Sequence, residues 1–377
     1  MNRRIFLKTS GLTLLGTALT PRVFARMAQA SGTRGKKVLV AIFQRGAVDG
    51  LNMIVPYGES AYYSARPTIA IPKKDVLDLD GFFGAHPSLQ SLLPFWKDRS
   101  LAIVQAAGSP DATRSHFDAQ DFMESGTPGV KSTEDGFLAR AMDPPNKEPL
   151  RALAISPSMP RILAGSNAVV ATDIARYANA PSTKVFGSMY PEAFEASRIL
   201  RTLGANSGTA YPRNPLGDAL SQIARVIKSD VGLEIAFADA GGWDTHAAQG
   251  GIDGQLANNL RGFSEAMTAF ANDLGSRMSD VVLITMSEFG RTVRQNGNRG
   301  TDHGHATVML ALGGNVKGGK VHGRWPGLAS HQLFEGRDLA VTTDFRDVFA
   351  EVLTKHLGVP SMASVFPKYE ARRVGLM

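Results

Sequence analysis

The 377-residue chain contains no cysteine. Disulfide staples, thiolate metal sites and a thiol nucleophile are therefore excluded, and any transition metal must be held by histidine and carboxylate. Long apolar runs are lacking as well. The stretch Gly11 to Leu19 is too short and too mild to span a bilayer, so no permanent membrane anchor is expected from it. Internal repeats and low-complexity segments are missing from the rest of the chain. What remains, 43% hydrophobic and 20% charged residues, is ordinary globular composition, able to bury a large core.

The N-terminus has a different character. Asn2-Arg3-Arg4-Ile5-Phe6-Leu7-Lys8 resembles the twin-arginine (Tat) export motif, with Asn2 where Ser or Thr is commonest. Ala28-Gln29-Ala30 offers a small-x-small cleavage pattern after Ala30, and Val23-Phe24-Ala25 offers a second after Ala25. Residues 1–30 are thus expected to be a signal peptide that engages the Tat translocase, and residues 31–377 a periplasmic or secreted domain. Arg3, Arg4, Lys8, Arg22 and Arg26 carry five of the positive charges, which reduces the net charge from +7 to +2, or to +3 with cleavage after Ala25. So nearly neutral a body removes the case for nucleic-acid binding that a sequence pI of 9.6 would otherwise make.

Beyond the leader, short apolar runs alternate with helical patterns. Val38 to Phe43, Leu101 to Val104, Leu153 to Ile155, Leu233 to Ala238, Val281 to Met286 and Thr307 to Leu312 read as strands. Helices are expected at His86 to Trp96, with Pro94 bending or ending it early, at Leu216 to Ile227, at Leu256 to Leu274 and at Phe345 to Leu357. Continuous rather than alternating apolar runs argue for central strands covered by helices on both faces, an α/β fold with a mostly parallel sheet. Residues 156–215 are less periodic and read either as an insertion or lid, or as a long surface connection.

Polar residues gather where strands end, which is where open α/β sheets bind ligands. After the first strand, Arg45 is placed to meet an anion and Asp49 to ligate a metal or orient Arg45, unless this is an ordinary glycine-rich turn. After the second, Ser115 opens a short helix, His116 to Glu124, whose free N–H groups would favour an anion and help ionise a hydroxyl. Ser115 is the candidate nucleophile, with Thr113 second and Arg114 and His116 beside it; an ordinary N-cap is the competing reading. After Leu233 to Ala238, Gly241-Gly242 precedes Asp244-Thr245-His246, a carboxylate and an imidazole turned inward together. After Val281 to Met286 come Glu288 and Arg291, then a Gly/Asn/Arg loop, then Asp302, His303 and His305. A loop of that composition needs a ligand or metal to organise it.

Four of these segments carry a family resemblance. Gly241-Gly242-Trp243-Asp244-Thr245-His246, Ser287-Glu288-Phe289-Gly290-Arg291, Gly300-Thr301-Asp302-His303-Gly304 and Ser115-His116-Phe117-Asp118-Ala119-Gln120 resemble the bacterial family labelled domain of unknown function fifteen-oh-one. That family is similar in fold to the alkaline phosphatase and sulfatase superfamily, which implies an α/β/α sandwich and a centre of up to two divalent ions such as zinc. Matched to the superfamily pattern, Asp49, Asp244, His246, Glu288, Asp302, His303 and His305 would supply metal ligands, Ser115 the nucleophile, and Arg114 and Arg291 grips on phosphate oxygens. Ser287-Glu288-Phe289 departs from that pattern, standing where Asp-His-Gly is usual.

The resemblance implies hydrolysis of a small anionic ester. Phosphate is favoured over sulfate, because no cysteine and no Ser-x-Pro-x-Arg order surrounds Ser115. The alternative it leaves is an exported binding or assembly protein that keeps the fold without turnover.

Overall fold

The computed structural model describes residues 36–142, 148–179, 191–203 and 208–377. The expected signal peptide and both of its cleavage sites lie outside the described residues, as does part of the 156–215 stretch.

Strand β1 (Val38–Gln44) is buried along its whole length. Its alternate side chains enter two different cores. Val38, Val40 and Ile42 join the cluster that holds the apolar faces of the helices Pro215–Lys228 and Gln255–Leu274; Leu39, Ala41 and Phe43 join one with Phe137, Phe345 and Phe349. A strand wrapped on both faces has no solvent side to mark with polar residues, which is why the sequence runs apolar without alternation.

Eleven further strands follow: β2 (Ile54–Val55), β3 (Leu77–Asp78), β4 (Gly84–Ala85), β5 (Leu101–Gly108), β6 (Ala152–Ile155), β7 (Val169–Ala171), β8 (Ile235–Ala240), β9 (Val281–Met286), β10 (Thr307–Gly313), β11 (Val321–His322) and β12 (Thr343–Asp344). Nine form the main sheet, in the order β11-β5-β10-β9-β1-β8-β6-β7 with β12 on the end of β5; β2, β4 and β3 make a small antiparallel sheet. The pairs β1–β8, β1–β9, β6–β8 and β6–β7 are parallel, while β10 runs antiparallel to both neighbours. This is the expected α/β/α arrangement. β7, within the 156–215 stretch, extends the main sheet as an edge strand, and Ile174 and Ala178 beyond it pack into the first core.

Pro94 acts differently from expectation. A 3-10 helix, Pro87–Leu92, gives way to a helix at Leu93–Lys97 that has Pro94 in its first turn, where the missing N–H has no partner to lose. Downstream, the helix Phe345–Val352 starts from Asp344, whose carboxylate accepts from Arg346 N–H. No helix among the described residues is long and apolar enough to cross a membrane.

Glu351, on that last helix, receives the N–H groups of Val374, Gly375 and Met377 at 3.0, 2.8 and 2.9 Å. Burial works to raise its pKa, but these backbone donors win and hold it below the usual glutamate value. Its contribution to stability is therefore present above the unfolded-state pKa and is lost as pH falls through the folded one. Glu351→Gln keeps the shape and removes the charge, and should cost about 1–3 kcal/mol. Chemical denaturation at pH 7 should show that loss, and the gap between variant and parent should close toward pH 3; an equal gap at both values would count against the carboxylate as the anchor.

Candidate metal centre

The loops that follow β1, β5, β8 and β9 meet at the carboxyl edge of the sheet, together with the segment that leads into β10. Three imidazoles converge there on one carboxylate. The Nε2 atoms of His246 and His303 lie 3.1 and 3.4 Å from Asp244 Oδ1, and that of His116 lies 3.7 Å away. His116, Asp244 and His303 each offer a ligand atom within 4.8 Å of the others, the spacing of a group that could hold one metal ion. His246 Nε2 sits 2.9 Å from His303 Nε2.

Each ring is aimed by its other nitrogen. His116 Nδ1 donates to Glu288 Oε1 at 2.8 Å, His246 Nδ1 to Asp302 Oδ1 at 3.1 Å and His303 Nδ1 to the Arg114 carbonyl at 2.9 Å. A carbonyl or carboxylate can only accept, so all three Nδ1 atoms carry the proton. In the neutral rings, each Nε2 then presents a lone pair to the common point. Metal-binding histidines are held in this way. The 2.9 Å between the Nε2 atoms of His246 and His303 would be a repulsion of two lone pairs unless a proton or a cation relieves it, and His116 Nε2 is buried with no hydrogen-bond partner.

The electrostatics differ between the rings. Burial holds the His303 pKa below the ordinary histidine value, which favours the neutral, ligating form. The bond it donates to Glu288 raises that of His116, which favours the charged ring until a cation displaces the Nε2 proton. Burial pushes Asp244 toward the neutral acid, but the Arg291 hydrogen bond and charge prevail and keep it ionised. Glu288 is likewise held below its usual value against burial by its bonds from His116, Gln120 and the Gly46 N–H.

Arg291 occupies a place different from the one expected. Its side chain is 0% exposed. Nε donates to Ala47 O, Nη1 to Thr301 O, and Nη2 to Gly46 O, Trp243 O and Asp244 Oδ1, the last at 2.5 Å. Every nitrogen is engaged inside the protein, so the guanidinium positions Asp244 and does not grip a ligand. The Arg114 guanidinium is tied to the buried Asp338 and to Glu335, and Arg45 to Asp239 and Glu124.

Asp49 and His305 are not brought to the cluster. Asp49 Oδ2 is bound by Arg66 at 2.7 Å and by Gln249 at 2.6 Å in a buried network, and His305 turns Nε2 to the Ser109 carbonyl with its ring edge-on to Phe334. Glu288 and Asp302 stand behind the imidazoles. Ser115 Oγ accepts from Asp118 N at 3.5 Å as the cap of the helix His116–Ser125, and no hydrogen bond joins it to the cluster. His116 was passed over as a ligand, although it lies in a segment quoted for the family motif; as the first residue of a helix beside a strand end, it is carried straight to the site.

Glycine is needed at Gly290, Gly300 and Gly304, in two of the four motifs, because backbone meets backbone here. A Cβ on Gly300 would lie 2.4 Å from His246 C and O, and one on Gly304 would lie 2.3 Å from Arg291 C. The match to the family described as Protein of unknown function (DUF1501) runs over residues 99–365 and contains His116, Asp244, His246 and His303. The chain belongs to the DUF1501 family. No curated protein matches this DUF1501 chain. Among solved structures it is similar to the C-terminal periplasmic domain of EcEptC from Escherichia coli, with 9% identity, 90% of this chain and 88% of that chain covered, and a TM-score of 0.42. It is also similar to the PsFucS1 sulfatase from Pseudoalteromonas sp., with 12% identity, coverages of 89% and 70%, and a TM-score of 0.39. A protein in the alkaline phosphatase superfamily from Vibrio parahaemolyticus matches with 10% identity, coverages of 76% and 62%, and a TM-score of 0.36.

Gly300→Ala should force the His246 backbone aside and abolish metal retention on gel filtration, with a stability cost of about 1–3 kcal/mol. Gly297→Ala, in the same loop but with nothing within 4 Å of its Cβ, should leave both unchanged. Equal behaviour of the two variants would show that the close approach at Gly300 does not set the site.

Proposed function

We propose that this DUF1501 protein is an exported, metal-dependent hydrolase of phosphate or other anionic esters that holds one divalent ion between His116, Asp244, His246 and His303. The observation that carries the reading is the orientation of the three imidazoles, each donating its Nδ1–H to an acceptor behind it and each turning Nε2 toward Asp244. Zinc suits such a set of nitrogens and one carboxylate. A divalent ion there would polarise an ester oxygen and lower the pKa of an attacking water or hydroxyl.

The chain's own residues support that chemistry. Arg291 keeps Asp244 ionised and fixed; Glu288 and Asp302 hold the tautomers of His116 and His246. Ser115 is exposed and only weakly engaged as a cap, one residue before His116, and is the hydroxyl to test as nucleophile. Export through the Tat route rests on Arg3, Arg4 and the small residues that end the leader. The commitment of Arg114 and Arg291 to internal partners favours a second reading, an exported metal protein that binds without turnover.

Protein purified without chelator should carry close to one equivalent of metal, and His116→Ala and His246→Ala should each weaken its retention about 10-fold or more. Metal below about half an equivalent would defeat the centre itself. Turnover of 4-nitrophenyl phosphate that is lost on chelation and restored by zinc would establish the hydrolase, and its loss in Ser115→Ala would assign the nucleophile. Full metal with no turnover of 4-nitrophenyl phosphate, sulfate or phosphonate esters selects the binding protein.

A further inference from the structure

A second charged feature lies apart from the histidine cluster. A cavity of about 670 Å³ opens between the start of the helix Phe345–Val352, the turn at Gly323 and Arg324, and the segment 369–374. Four arginines line it, and only one is neutralised. Arg346 is bound twice by Asp344 and lies 3.6 Å over the Tyr369 ring. Arg324, Arg372 and Arg373 have no hydrogen-bond or ion-pair partner for their guanidinium groups among the described residues. Of the carboxylates in the wall, Asp344 is used by Arg346, Asp347 accepts from the Tyr369 hydroxyl and the Arg372 N–H, and only Glu370 is without a partner.

These arginines are not carried on a loose tail. Arg372 N–H is fixed by Asp347 at 2.6 Å, the next residues are held by Glu351, and the Arg324 carbonyl accepts from Thr342 Oγ1 at 2.6 Å. The three exposed guanidiniums without partners, two of them on anchored backbone, stand around one cavity whose wall holds four arginines against Asp344, Asp347 and Glu370, and so carries a net positive charge in a body whose net charge is close to zero. Such an arrangement is relieved when an anion enters, and guanidinium forks bind oxyanions two bonds at a time. The cavity is larger than a single phosphate needs and falls in the usual range for small-molecule sites.

We infer that this groove is a binding site for a small polyanion carrying at least two phosphate or carboxylate groups, held by Arg324, Arg372 and Arg373 with the Tyr369–Arg346 pair as its wall. It stands independently of the metal centre and of any hydrolytic activity.

The test is calorimetric titration of the purified protein with inorganic pyrophosphate, and in parallel with citrate. Arg372→Gln/Arg373→Gln should weaken the affinity for pyrophosphate about 10-fold or more, and Arg324→Gln by a smaller factor. Neither variant should change the melting temperature, because neither removes an internal partner. His246→Ala should bind the probe like the parent. Tighter binding of pyrophosphate than of citrate would identify a phosphorylated ligand, and the reverse a carboxylated one. Absence of binding of both probes, binding indifferent to the arginine changes, or binding lost in His246→Ala would each overturn the proposal; the last would place the anion at the metal centre.

Discussion

The buried guanidinium of Arg291 is the contact on which the edge of this sheet depends. It takes carbonyls from the loop after β1 (Gly46 and Ala47), from the loop after β8 (Trp243) and from the segment before β10 (Thr301), and it adds the Asp244 carboxylate. Carbonyls in the segments beside strand ends have no further strand to bond, and burying them without donors would be costly. One rigid fork satisfies four of them and joins three loops. Lysine, with a single nitrogen, has no equivalent geometry.

Because Arg291 is immobilised, Asp244 is too, and the imidazoles arrange themselves around it. Each histidine is gripped from behind by a group from a different segment: Glu288 after β9, Asp302 in the loop before β10, and the Arg114 backbone after β5. Glu288 reaches in turn to the Gly46 N–H and Gln120, so the turn after β1 and the helix His116–Ser125 are coupled to the same centre. The site is thus prepared by its surroundings. Side chains that would be expected to meet a ligand directly are instead spent on holding others. The exposure of Asp244, 48% of its side chain, leaves the converging face open to solvent, with the almost bare ring of Phe117 next to His116.

Arg66 shows the same economy of charge at a neighbouring position. It enters the pocket behind the first loop and pairs with Asp49, while Asn52 and the carbonyls of Thr292 and Val293 take its other donors. An arginine there supplies the positive charge that Asp49 requires and engages its Oδ2, while Oδ1 is buried without a hydrogen-bond partner. Breaking such a buried pair from one side costs about 3–5 kcal/mol.

The central strands were legible because burial on both faces leaves a continuous apolar run, and Val281–Met286 was read to the residue. The lack of cysteine confined any metal to histidine and carboxylate, and the glycine motifs marked where segments must turn or approach. Asp244, His246 and His303 could be picked from those motifs alone. What each charged group faces was not legible, since bonds such as those from Arg291 to Ala47 and to Asp244, 244 and 47 residues apart in the chain, depend on strand order and loop packing. The antiparallel insertion of β10, the capture of Arg291 by carbonyls, the loss of Asp49 to Arg66 and the entry of His116 were all decided by tertiary structure. The sequence determined which chemistries were available; the fold decided which side chains converge on one point and which orient the ones that do, because a charge that is buried must take the nearest partner that satisfies it.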